Sequence, residues 1–298
     1  MSVSEKNIPG AGKALGKGFS AARRRIGVAR LVLGLNLLVA MFVALPLYYA
    51  IVKFTGHSKV ATDLLQGFSP DWILDFRYNN PGWFTRFGQA VLAGGLVSLL
   101  LNTLFAGGML GALRNPQMFY PARDFFQDIG RYGARLLRLL ILGLVCYWVV
   151  FWVLNVWLRG LLEWWAEQST NNLWISVIEV SLAVLILAGI FYINLILDFA
   201  RIRLVLGEEQ KVIGAFRGAW RFVRRRFFKC LTVYLVPGLA ALVLLGLYRL
   251  LMPLVPAETS WGIIALFLFQ QLVMFARYWL RMATWAGEWT LFSGSSNV

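Results

Sequence analysis

The chain is poor in the residues that carry out chemistry. Its 298 residues include one histidine and two cysteines. His57 alone cannot build a metal site, and Cys146 and Cys230 lie too far apart for a metal-binding or redox CxxC. No GxSxG, HExxH or phosphate-binding glycine loop is present. Charge is scarce too: 14% of residues are Asp, Glu, Lys or Arg, against about a quarter in an average soluble domain. Acidic residues are the scarcest, 14 against 29 basic ones. These shortages exclude a disulfide-stapled domain, a zinc module and the common hydrolase and nucleotide-binding motifs. The expectation is a protein that is not an enzyme and needs no cofactor.

Apolar surface is abundant. Hydrophobic residues make up 59% of the chain and mean hydropathy is +0.66, outside the range of soluble domains. A net charge of +15 would suit a nucleic-acid binder, but no such motif accompanies it. The basic excess therefore belongs in the loops of a membrane protein, where it orients the chain and meets anionic headgroups.

A span needs about 20 mostly apolar residues. Six segments qualify, at about 31–52, 88–113, 136–158, 173–199, 228–252 and 261–285. Lys and Arg crowd the tail before residue 30, the loop after span two and the loop after span four. The alternate loops are neutral or acidic. That asymmetry predicts both termini on the cytoplasmic side. The first apolar run is long enough to span, so no cleavable signal peptide is expected.

Residues 1–18 are rich in Gly, Ser, Lys and Ala and read as a disordered basic tail; 19–298 read as one membrane domain. Three basic stretches, the second and third also aromatic, lead into odd-numbered spans: SAARRRIGVAR from Ser20, DFFQDIGRYGARLLRLLIL from Asp124, and AFRGAWRFVRRRFFK from Ala215. Each suits a helix lying at the inner interface. In the third, Arg221, Arg224, Arg225 and Arg226 are the membrane-surface cations. Pro46 should kink span one. Ser69-Pro70-Asp71 opens a short interfacial helix in the first outer loop, anchored by Trp72, Phe76, Tyr78 and Trp83. Gly94/Ser98 and Gly107/Gly111 are small residues four apart that let helices approach closely.

Aligning Phe19, Phe126 and Phe216 brings the lead-ins into register. The even spans then end in Phe105-Ala106-Gly107, Phe199-Ala200-Arg201 and Phe275-Ala276-Arg277. The expected fold is an all-α, polytopic transmembrane bundle: six spans in three pseudo-repeated pairs with cytoplasmic amphipathic helices. The mitochondrial carrier family shares six spans and three repeats, but its Pro-x-acid-x-x-base signature is absent here. The stretch LDFARIRLVLGEE followed by AFRGAWRFVRRRFFK resembles a different group. These are six-helix bacterial membrane families, including the membrane region ahead of some glycerophosphodiester phosphodiesterases and several uncharacterised families. The resemblance spans about residues 20–290 and implies a fold in a bacterial cytoplasmic membrane. It implies no phosphodiesterase activity, because no domain for it is expected in this chain.

Ionisable residues inside spans are functional candidates. Glu179 and Arg249 sit at matching depths and are placed to pair. Asp198, Arg201 and Arg203 end span four; Arg277 and Arg281 share a face one turn apart at the end of span six. Asp198 is placed to pair with Arg277. Amides at Asn36, Asn102, Asn155, Asn194, Gln270 and Gln271 add hydrogen-bonding capacity. Two readings stand open. Such groups glue helices at about 0.6 kcal/mol per hydrogen bond, or the arginines form a cationic pocket for a phosphate headgroup, which suits their planar fork. The sequence favours a lipid-interacting scaffold or accessory subunit with anionic lipids, and a protein, as partners. A transporter or channel with a path along the pseudo-threefold axis is the alternative.

Overall fold

The computed structural model describes residues 9–55, 74, 77–79, 82–115, 120–160, 163–164, 172–256 and 259–296. Residues 1–8, His57 and the Ser69-Pro70-Asp71 start of the expected interfacial helix lie outside these, while Leu74, Arg77 and Tyr78 of that helix are described and helical. Among the described residues no strand occurs. The helices are α1 (Ala11–Arg24), α2 (Ile26–Thr55), α3 (Trp83–Arg114), α4 (Ala122–Trp152), α5 (Asn172–Val205), α6 (Val212–Arg225), α7 (Phe227–Leu251) and α8 (Ser260–Ser296). A π-helical stretch, Val153–Leu158, prolongs α4. Six of these, α2, α3, α4, α5, α7 and α8, are long and apolar enough to cross a membrane. The chain is a multi-pass, all-α bundle.

The spans pair as hairpins: α2 with α3, α4 with α5, α7 with α8. The even members α3, α5 and α8 also touch one another, so they form the middle of the molecule. Each lead-in packs on the preceding hairpin's even helix: the start of α4 on α3, α6 on α5, and α1 on α8. The last contact closes the cycle and gives the fold its pseudo-threefold order.

That closure corrects the expected tail. Residues 11–18 belong to α1, whose Ala14, Gly18 and Ala22 are buried four residues apart on one face. A Cβ on Gly18 would overlap the Ala283 carbonyl and lie 2.9 Å from the Gly287 nitrogen, so the two backbones pack in contact. In α6, Ala215, Ala219 and Val223 repeat the same spacing. Two lead-ins end at an arginine break, Arg25 with φ −107° and Arg226 with φ −133°. The second has none and runs straight through into its span. Span one likewise stays helical through Pro46.

The third repeat's register also shifts. The blocks buried at the meeting of the even helices contain Phe105-Ala106, Phe199-Ala200 and Trp285-Ala286. Phe275 and Ala276 are only half-buried and Arg277 is exposed. Trp285-Ala286-Gly287, ten residues further on, is therefore the counterpart of Phe105-Ala106-Gly107.

The 37 residues of α8 and 34 of α5 give lengths of about 55 and 50 Å, while the hydrocarbon core is about 30 Å thick. The surplus forms a packed base on the basic side. One apolar cluster there unites Met109 and Leu110 of α3, Ile202 and Val205 of α5, and Met282 and Trp285 of α8. Away from the base, close contacts hold hairpins together: Gly94 on Val43, Gly189 on Val150, and Tyr248 5.4 Å from Phe269.

Candidate functional site

A cavity of about 540 Å³ sits where the base meets the spans. Its walls come from α3, α5, α7 and α8, and its polar lining includes Asn102, Asn194, Arg201, Tyr234, Arg277 and Arg281. The volume falls within the usual range for small-molecule sites.

Asp198 organises the cationic wall. It is fully buried, and its Oδ1 accepts from Arg201 Nη1 at 2.7 Å and from Arg281 Nη2 at 2.7 Å. The first pair lies within α5, three residues apart; the second joins α5 to α8. Arg281 also lies 4.9 Å over the Trp285 ring and against the Tyr234 hydroxyl of α7. The guanidinium side chains remain partly open, 19% exposed for Arg201 and 33% for Arg281.

The expected Asp198–Arg277 pair is thus replaced by Asp198–Arg281. Arg277 lies one turn further along α8, away from the base, and faces the same cavity. It makes no hydrogen bond or ion pair among the described residues. Three guanidiniums therefore line one cavity, and Asp198 engages two of them.

Glu179 and Arg249 do not pair among the described residues. Both are exposed, and Arg249 Nη1 lies 4.0 Å from Met252 Sδ. Their helices belong to different hairpins and meet through Tyr192–Phe227 and Phe191–Tyr234, toward the base. Matching depth did not bring the two residues together.

Arg203 points away from the cavity. Its Nε donates to Glu209 Oε2 at 2.8 Å, and its guanidinium lies 5.3 Å over Phe292. It would overlap any side chain at Gly218, so it clamps α6 to the end of α5. Arg221, Arg224 and Arg225 are exposed on α6 beside Trp220, while Arg226 is half-buried 5.0 Å over Phe222. The amides at Asn36, Asn102 and Asn194 tie hairpins internally: Asn102 Nδ2 donates to Asn36 Oδ1 at 2.9 Å, and Tyr147 Oη donates to Asn194 Oδ1 at 2.7 Å.

Other polar contacts close the base. Glu208, held at φ 51°, accepts from Arg114 at 2.5 Å and Arg131 at 3.1 Å. Tyr120 Oη donates to Asp128 Oδ2 at 2.6 Å, in the space that a side chain at Gly111 would take. Burial, and then the Asp128 carboxylate, push the Tyr120 hydroxyl well above its usual range. Arg25 donates to the Asn115 carbonyl and lies over the Tyr120 ring.

Sequence reasoning missed Glu288. It is fully buried near Asp198, Arg281 and Arg201, and neither carboxyl oxygen has a hydrogen-bond partner among the described residues. Its signal was its isolation: Glu288 is the one charge in the last 17 residues, MATWAGEWTLFSGSSNV. The cavity also brings in Tyr234, Tyr278 and Thr284, none of which a linear motif marks.

No family model matches the chain, and no curated protein or solved structure matches it.

Proposed function

We propose that this membrane protein binds an anionic, phosphate-type group in the cavity between α3, α5, α7 and α8. The observation that carries the reading is Arg277, a guanidinium without a partner among the described residues, beside Arg201 and Arg281 in one lined space. Arginine donates through a rigid planar fork, which suits phosphate oxygens. Asp198 holds two of the forks in place and leaves some of their N–H groups free for a ligand. We place the protein among scaffolds or accessory subunits rather than enzymes. The exposed arginines of α6 would rest on the anionic headgroups of a bacterial cytoplasmic membrane, with both termini inside.

A path along the pseudo-threefold axis draws less support. Its basic end is filled by Met109, Ile202, Met282 and Trp285, and Glu179 and Arg249 do not line the cavity. The reading is tested on protein purified in mild detergent, by equilibrium binding of inorganic phosphate and of dioleoylphosphatidylglycerol. At least one should bind saturably, and Arg277→Gln should weaken it about tenfold or more, the loss of one charge-assisted contact. Equal binding by wild type and Arg277→Gln would remove the basis of the proposal.

A further inference from the structure

The cavity continues toward the bilayer, and that continuation says where its ligand comes from. On α7 it is lined by Tyr234, Pro237, Gly238 and Ala241. Helical spacing of three to four residues extends that stripe to Leu245, which is 54% exposed. A Cβ on Gly238 would meet no atom within 4 Å, so space stands open beside the helix there. On α5 the facing stripe climbs from Asn194, in the cavity wall, to Leu187 at 65% and Val184 at 58% exposure. The two helices touch toward the base, where Tyr234 stacks edge-on against Phe191 at 5.0 Å and Tyr192 lies 6.2 Å from Phe227. Beyond that contact they leave an apolar slot with arginines at its foot.

The dimensions suit one leaflet of lipid. From Asn194 to Val184 is ten residues, about 15 Å along a helix, which is half of a hydrocarbon core of about 30 Å. The polar foot of the slot lies on the basic side of the molecule, so a lipid seated there points its chains toward the membrane centre. A free anion would gain nothing from the apolar walls above the arginines. An amphiphile would use both parts.

Resting on the phosphate-site reading, we propose that the ligand is a net-anionic, phosphate-bearing lipid of the leaflet on the basic side. It would enter laterally between α5 and α7, with its headgroup on Arg277 and Arg281 and its chains against Gly238, Ala241 and Leu187.

The test uses full-length protein in mild detergent and native mass spectrometry with added dioleoylphosphatidylglycerol. Dioleoylphosphatidylcholine, zwitterionic and net-neutral, serves as the control for net headgroup charge, and inorganic phosphate binding is measured in parallel. Leu187→Trp and Leu245→Trp fill the slot beyond the cavity lining, without touching an arginine. Wild type should hold one phosphatidylglycerol, and each slot variant should weaken it about tenfold while phosphate binding stays unchanged. Retained phosphate binding also shows that the variant cavity is folded. If both slot variants bind the lipid as tightly as wild type, lateral entry is wrong. If phosphate binds and phosphatidylglycerol does not, the anion site stands and the lipid assignment falls. If neither probe binds, both readings fall together. Equal retention of phosphatidylcholine would overturn the role of the arginines in choosing the ligand.

Discussion

Two buried carboxylates sit close together in this protein, and they should answer mutation in opposite ways. Asp198 is engaged at 2.7 Å by both Arg201 and Arg281. Glu288 is just as buried but has no hydrogen-bond partner among the described residues. Removing one member of a buried ion pair costs about 3–5 kcal/mol, because a charge is left uncompensated. Here the two arginines stay partly open to the cavity, so solvent screening lowers the expected cost of Asp198→Ala to about 2–3 kcal/mol. At about 2–4 °C per kcal/mol for a chain of this size, the unfolding midpoint should fall by about 4–12 °C. Glu288→Leu should behave otherwise. It removes two unpartnered buried oxygens and keeps most of the volume, an exchange that is neutral or stabilising when the polar group has no partner. Thermal unfolding of both variants in one detergent, followed by tryptophan fluorescence, gives the comparison. A neutral Asp198→Ala, or a Glu288→Leu as damaging as Asp198→Ala, would refute this account of which carboxylate holds the base together.

Other consequences can be checked with the same preparation. Gly18→Ala should free α1 from α8, since the added methyl meets backbone that cannot yield; a cost of about 1–3 kcal/mol is expected, with faster proteolysis within residues 11–24. Asn102→Leu removes the amide contact between α2 and α3 and should cost only about 0.6 kcal/mol, which a shift above 5 °C would contradict. Tyr120 stays un-ionised in the folded protein above the pH near 10 at which an unfolded tyrosine titrates. Its stabilisation is therefore complete below pH 10 and is lost as pH rises beyond that. Between pH 9 and 11.5 the wild-type midpoint should fall more steeply than that of Tyr120→Phe, and parallel curves would disprove the contribution.

How much of this could be read in the sequence depended on how strongly physics constrains each feature. The six crossings were legible because hydrocarbon forces about 20 apolar residues into each helix. The lead-in α6 was legible because arginines and large aromatics alternate along it. By contrast α1 was half hidden. Its packing face is Ala14, Gly18 and Ala22, residues that add little hydropathy and share the composition of flexible tails. The third repeat was placed at Phe275 instead of Trp285 because a three-residue match carries no information about depth. Arg201, Arg277 and Arg281 were all candidates and share one cavity, but Asp198 pairs with Arg281 instead of Arg277, a difference of one helical turn. Glu288 lay three residues past the expected end of span six.

The seating of α1 on α8 has a consequence in time. The two surfaces are far apart in sequence, so α1 emerges from synthesis long before α8. Until α8 is made, the small-residue groove formed by Ala14, Gly18 and Ala22 has no counterpart, and the ring of hairpins stays unlocked. Contacts so remote in sequence carry the largest loop-closure cost and form last. The N-terminal helix is then a late latch. A chain stalled before Ser260 would insert its earlier hairpins and still display an unclosed α1, by which a membrane protease could tell it from the finished molecule.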